Sequence, residues 1–257
     1  MQRVNYDQIA HLYDAPDRGH DVDPNLVNFL EERDDLDPST LSVLDVGCGT
    51  GKQVAANRSA FPAASIVGSD LFIGMLRVAS ENDPNAVWAQ SDGSRLGFRD
   101  SAFDYITNQF SYAHIQDKPA FAAEIFRILK PGGRFVVTNI EPWSMDSWIM
   151  YQFFPAAREL DHADFLQKDV FAELLTRTGF GSLRVDVDRK LKQEILGDFF
   201  SYASERHRAS HFLAMSDNAY QSGLERLEEA IREHGPDKTI TSESSRITQS
   251  ADKPGNE

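Results

Sequence analysis

The sequence holds a single cysteine, Cys48, among 257 residues. One thiol excludes an internal disulfide and a multi-cysteine metal site. Cys48 lies inside a glycine loop, where a tight turn needs a small side chain. The other reading, a nucleophile, has no base implied nearby. No run of about 18 apolar residues occurs, so no membrane-spanning helix is expected. The opening stretch MQRVNYDQIAHLYD has no apolar core segment and no small-residue cleavage site. No secretory leader is therefore expected, and the chain reads as cytoplasmic. Basic residues are also scarce: 26 Lys and Arg stand against 40 Asp and Glu, a formal net charge of −14. Phosphate backbones demand Lys and Arg, so a generic nucleic-acid partner is disfavoured. The acids Glu31, Glu32, Asp34, Asp35 and Asp37 read as a solvated helix end without a function. No internal repeat and no strong low-complexity segment is present.

What is present is a hydrophobic fraction of 41%, enough for a packed core. Residues 1–40 read as a helical lead-in, broken by Asp37-Pro38-Ser39. From Leu41 to Glu141 short apolar runs alternate with amphipathic ones. Strands are predicted at 41–46, 65–69, 86–90, 103–108 and 134–140, and helices at 51–60, 72–81 and 118–129. That alternation predicts an α/β fold with a parallel, doubly wound sheet. An aromatic helical stretch follows, then a helix at 168–178, a strand at 182–187, and helix over 193–234 broken near Ser216-Asp217-Asn218. The segment 236–257 reads either as a frayed tail or as a last edge strand within 239–251.

Gly47-Cys48-Gly49-Thr50-Gly51 follows an apolar strand and opens a helix. That context makes the glycines informative: they permit a sharp turn, and the helix start offers unpaired N–H groups. The G-x-G-x-G spacing differs from the G-x-G-x-x-G of dinucleotide loops. A P-loop is excluded, because Lys52 is followed by Gln53. Asp70, ending the second strand, is placed to accept both hydroxyls of a ribose. Ser91-Asp92-Gly93, past the third strand, reads either as an adenine-contacting acid and backbone or as a plain turn.

Together these residues resemble the class I S-adenosylmethionine-dependent methyltransferases of the small-molecule type with a helical cap. VLDVGCGTG is similar to their first motif, VGSDLFIGML to the second, QSDGSRLGF to the third, FDYITNQFSYAHI to the fourth and RILKPGGRFVVTN to the fifth. YDQIAHLYD resembles the segment that folds over the cofactor. Gly93 and Gly97 depart from the family's usual third motif. The resemblance spans residues 6 to about 187. It implies a Rossmann-like seven-stranded sheet of order 3-2-1-4-5-7-6 with the last strand antiparallel, and a single methyltransferase domain. Within it, 1–40 would be a lid, 41–141 the cofactor core, 142–166 and 193–235 helical cap insertions, and 252–257 a disordered tail. The implied cofactor is S-adenosyl-L-methionine, with S-adenosyl-L-homocysteine as product. Implied contacts are Tyr13, Asp45, Gly47, Cys48, Gly49, Gly51, Asp70, Leu71, Met75, Ser91, Asp92, Gly93, Asn108 and Gln109.

The implied activity is methyl transfer to an O, N or C atom of a small molecule. His114 is the candidate general base; its other reading is pocket lining. Trp143, Trp148, Tyr151, Phe153 and Phe154 either pack a helix or line an apolar pocket. His207 and His211 share a helix face, but no third ligand supports a metal site. Two rivals remain open: a cofactor-binding relative without turnover, serving regulation or assembly, and a nicotinamide-dependent oxidoreductase, which the glycine spacing disfavours.

Overall fold

A computed structural model describes residues 4–14 and 21–255. The five alternating runs form β1 (Ser42–Val46), β2 (Ser65–Asp70), β3 (Val87–Gln90), β4 (Phe103–Gln109) and β5 (Leu129–Ile140). With β6 (Gly181–Ile195) and β7 (Thr239–Asp252) they make one seven-stranded sheet, ordered β3-β2-β1-β4-β5-β7-β6. β1 pairs in parallel with β2 and β4, β2 with β3, and β4 with β5. β7 runs against β5: Gly132 N–H donates to Lys253 O, and Lys253 N–H donates to Gly133 O. The order and the antiparallel last strand implied by the resemblance are both found.

The central strands are apolar because both faces are covered. Val43 and Leu44 of β1 and Ile106 of β4 are fully buried. Two helices precede the sheet, α1 (Ala10–Tyr13) and α2 (Pro24–Glu31). The crossovers are α3 (Lys52–Ala60), α4 (Ile73–Asn82) and α5 (Lys118–Ile128). α5 starts where Asp117 caps Ala120 N–H, with Pro119 in the first turn. Its Phe121 ring meets Phe135 of β5 edge-on, centroids 5.7 Å apart. After β5 come α6 (Ile149–Phe153), α7 (Pro155–Asp164) and α8 (Lys168–Thr178), and after β6 come α9 (Leu196–Ser204), α10 (Ser210–Ala214) and α11 (Asp217–His234).

The chain divides into two compact units. One, the sheet unit, comprises Asn5–Asn139, Lys168–Asp186 and the residues from Thr248 on; the other, the helical unit, is built from Ile140–Gln167 and Val187–Ile247. The helical unit has its own core, in which Phe154, Leu196, Phe212 and Leu227 are fully buried. Phe154 and Phe212 lie 4.9 Å apart between centroids.

Two boundaries differ from expectation. The strand expected at 182–187 runs on to Ile195, so helix begins at Leu196 rather than near 193. β6 is an edge strand and mostly exposed, so residues 188–194, polar except for the exposed Leu191, carry no apolar alternation to read. Its continuation is held by side chains of β7: Gln193 Nε2 donates to Thr241 Oγ1 at 3.1 Å. The second difference is at the end. Asp252, expected to open a tail, completes β7 and accepts from Arg134 Nε at 2.7 Å. Lys253 Nζ donates to the carbonyls of Phe126 and Leu129. Residues 1–3 and 15–20 of the expected N-terminal lid, and 256–257 of the tail, lie outside the described residues.

Candidate cofactor site

The glycine loop leaves β1 and enters α3, and its glycines serve two different needs. Gly47, Gly49 and Gly51 all have positive φ, at 77°, 55° and 82°. A Cβ on Gly47 would lie 2.1 Å from Ser111 Oγ, and one on Gly51 would lie 2.4 Å from the Trp88 ring. A Cβ on Gly49 would meet nothing within 4 Å. Packing therefore demands glycine at 47 and 51, whereas at 49 the backbone borders open space where a ligand could approach. The Gly47→Ala variant should lose about 2 kcal/mol of stability by chemical denaturation, from strain and displacement of Ser111.

The loop is tied to the strand ends. Gly47 and Cys48 N–H groups donate to Ser69 O, and Gly49 N–H donates to Asp70 Oδ2 at 2.9 Å. Asp70 Oδ1 accepts from Phe72 N–H at 2.9 Å. One carboxylate thus joins the loop to the turn before α4. Burial raises the Asp70 pKa, opposed by the N–H donors of Phe72, Gly49 and Leu71. Ser91 N–H donates to Asp70 O, and Ser91 and Ser69 hydroxyls lie 3.0 Å apart. Leu71 is half-buried, and its carbonyl accepts from Gln90 Nε2.

Asp45, next to last in β1, is 3% exposed, and among the described residues no side chain or backbone N–H donates to its carboxyl. Burial, with Asp23 and Asp70 nearby, pushes its pKa up to about 8. A buried carboxyl without a donor beside a glycine loop suits a cationic group. Cys48 is pushed upward too, by burial and by Asp45 and Asp70. It is held as a thiol, which favours its role as a small loop residue over a nucleophile.

Other expected contacts have local duties. Asn108 is fully buried; its Nδ2 donates to Val46 O at 2.8 Å and to Ser111 Oγ at 2.7 Å. It braces the loop from below. Gln109 ends β4, paired with Thr138 of β5. Asp92 is exposed, and its Oδ1 accepts from Ser94 N–H and Oγ, the geometry of a turn residue. Gly93 packs near Phe121, and Met75 is buried in α4.

His114 and Tyr13 are brought together by a residue that sequence reasoning missed. Tyr6, 7% exposed, lies 2.9 Å from His114 Nε2 through its hydroxyl, and its ring contacts Tyr13, Phe72 and His114. Beside it, Asp7 Oδ1 accepts from Gly74 N–H at 2.6 Å and caps α4. A Cβ on Gly74 would sit 2.8 Å from the Asp7 Cα. A glycine within the first turn of a predicted helix was the available signal: it marks a close backbone approach. Asp23 was also missed. It caps α2 and accepts from Tyr105 Oη at 2.9 Å.

In the helical unit, Tyr151, Phe153 and Phe154 belong to the core, and Trp143 stacks on His162 with centroids 5.1 Å apart. Asp161 accepts from Tyr151 Oη at 2.6 Å and lies 2.9 Å from His211 Nε2. His211 is therefore engaged by Asp161, and among the described residues no cluster of three or more metal-ligating side chains occurs. Nor is any described helix long and apolar enough to cross a membrane.

A family model described as a methyltransferase domain matches residues 44–137, the span from β1 into β5. The matched domain and the sheet order are those of the class I S-adenosylmethionine-dependent methyltransferases, which this chain resembles. The family's cofactor is S-adenosylmethionine. The chain is 27% identical over 154 residues to a demethylmenaquinone methyltransferase of Streptomyces griseus, covering 56% of this chain and 64% of that protein. It is 33% identical over 156 residues to a 2-methyl-6-phytyl-1,4-hydroquinone methyltransferase of Synechocystis, covering 57% of this chain and 48% of that protein. The matches thus span about half to two thirds of these relatives. Among solved structures, a phosphoethanolamine N-methyltransferase of Haemonchus contortus in complex with S-adenosylhomocysteine shares the fold. Its TM-score is 0.55 at 22% identity, covering 90% of this chain and 52% of that one.

Proposed function

We propose that this chain binds S-adenosylmethionine at the β1–β2 end of the sheet and transfers its methyl group to a small molecule, with a carbon of a quinol-type ring as the acceptor. The observation that carries the cofactor reading is Asp45, a buried carboxyl with no described donor, beside a loop that is open only at Gly49. The cofactor supplies a methyl already activated by a sulfonium charge. The chain's own work is then orientation and exclusion of water. Asp45 would face the ammonium end, Gly49 would allow close approach of the backbone, and Asp70 would accept the ribose hydroxyls with its remaining lone pairs. Leu71, Met75, Ser91 and the Asp92-Gly93 turn would border the adenosine.

Tyr6 and Asp7 hold the N-terminal segment against the β2–α4 turn. That contact supports a covering role for the segment. His114 is proposed as the residue that positions Tyr6, because its Nε2 and the Tyr6 hydroxyl are hydrogen-bonded partners. The quinol assignment is supported by the printed activities of the Streptomyces and Synechocystis relatives.

The test is calorimetry with S-adenosylmethionine and S-adenosylhomocysteine, followed by an assay for S-adenosylhomocysteine release with 1,4-naphthoquinol, catechol and small amines. Binding of both compounds and turnover on the quinol are expected. Binding without turnover on any acceptor would favour a regulatory or assembly role. Absence of binding would overturn the cofactor reading.

A further inference from the structure

β4 ends at Gln109, and the chain turns through Phe110 and Ser111 into a short 3-10 turn at Tyr112–His114. Both flanks of Phe110 are pinned inward. Asn108 is fully buried under the glycine loop, and Ser111 Oγ donates to Val46 O at 3.2 Å. Tyr112 is 3% exposed, with its ring 4.7 Å from that of Phe171.

Phe110 itself turns outward. Its N–H donates to Thr138 O at 2.9 Å, its φ is +53°, and it remains 50% exposed. A bulky residue in the left-handed region is a true outlier. Among the described residues the other non-glycine residues with positive φ, Ser101 and Ser182, are small. Glycine or asparagine would make this turn more easily. Little burial compensates for the strain, and no described aromatic ring partners the phenyl. Neither backbone geometry nor core packing therefore asks for a phenyl here. Strain kept at such a place points to a role outside the fold. The place is the carboxyl end of a central parallel strand, where ligands bind in open α/β sheets. It adjoins Ser111, the residue that packs against Gly47 of the cofactor loop.

We propose that Phe110 is a specificity-determining residue whose ring is the platform for a planar aromatic or quinoid methyl acceptor. This rests on the reading of the chain as a small-molecule methyltransferase. A phenyl on a pinned backbone has few rotatable bonds, so it orients a flat partner at low entropic cost. Ring-on-ring contact adds attraction that a saturated acceptor does not share.

The experiment uses the full chain saturated with S-adenosylhomocysteine and measures binding of two probes, 1,4-naphthoquinone and cyclohexane-1,4-dione. Wild type should bind the flat ring at least tenfold more tightly than the saturated one. Phe110→Gly and Phe110→Leu should each lose at least tenfold for naphthoquinone, whereas Phe110→Tyr should keep it within threefold. S-adenosylhomocysteine affinity should stay within twofold in all three. The Tm of Phe110→Gly should match or exceed wild type, because glycine relieves the left-handed strain; a packing role would lower it. Equal binding of the two probes by wild type, or unchanged naphthoquinone binding in both Phe110→Gly and Phe110→Leu, would overturn the proposal. So would a loss of S-adenosylhomocysteine affinity or a change of oligomeric state in these variants. The first would make Phe110 a cofactor contact and the second an interface residue. Cofactor binding and turnover are measured separately, so failure of the methyltransferase reading would be seen independently.

Discussion

Asp70→Ala should lower S-adenosylhomocysteine affinity by about 30- to 1,000-fold, a loss of about 2–4 kcal/mol. Two effects combine. The ribose hydroxyls lose a charged acceptor. The loop also loses its tie, because Asp70 accepts from both Gly49 and Phe72 N–H groups before any ligand arrives. Those donors are left without their partner, and the loop must reorder when the ligand binds. Asp70→Asn keeps one oxygen acceptor and should fall between the two. Calorimetry on the folded variants checks this. An unchanged affinity in Asp70→Ala would show that the ribose is held elsewhere and that Asp70 serves only the loop.

The second large effect concerns pH and Asp45. In an unfolded chain its carboxyl ionises near the ordinary value of about 3.9. In the folded chain burial, with Asp23 and Asp70 nearby, pushes it up to about 8. Between these values the folded state holds a proton that the unfolded state has released. The ligand-free protein therefore loses stability as pH rises through that window, by at most about 1.4 kcal/mol per pH unit from this group. Asp45→Asn removes the group, so its denaturation midpoint should fall less between pH 5 and 8. At pH 7 the variant should be more stable than wild type, by on the order of 3 kcal/mol. Parallel pH profiles would show that Asp45 is ionised throughout. The same variant should bind S-adenosylmethionine more weakly, because an amide cannot neutralise an ammonium. In wild type, calorimetry in buffers of different ionisation enthalpy should reveal proton release on binding.

Several parts of this molecule were readable from local spacing. The loop Gly47–Gly51, its strand and its helix are contiguous, so periodicity and glycine placement define them without reference to distant residues. Asp70 was readable because it ends the next predicted strand. Buried strands of a parallel sheet announce themselves as apolar runs, and β1, β2 and β4 did so. β6 was readable only in part: Leu183, Val185 and Val187 alternate and mark the strand expected at 182–187, whereas its exposed continuation to Ile195 is mostly charged and polar.

The amino-acid order alone was enough for the sheet class, the glycine loop and the adenosyl type of ligand, since each depends on residues within a few positions of one another. Tertiary structure decided the state of each group. Tyr6 meets His114 across 108 residues. Asp45 owes its raised pKa to burial and to Asp23 and Asp70, which come from other parts of the chain. Asn108 Nδ2 reaches Val46 O across 62 residues and also donates to Ser111 Oγ. Phe110 is an ordinary hydrophobic letter in the sequence; only the fold shows it turned outward. Local order specifies which conformation a segment prefers. Burial, charge proximity and strain depend on what the rest of the chain places around it, and those are the quantities that set the chemistry of this site.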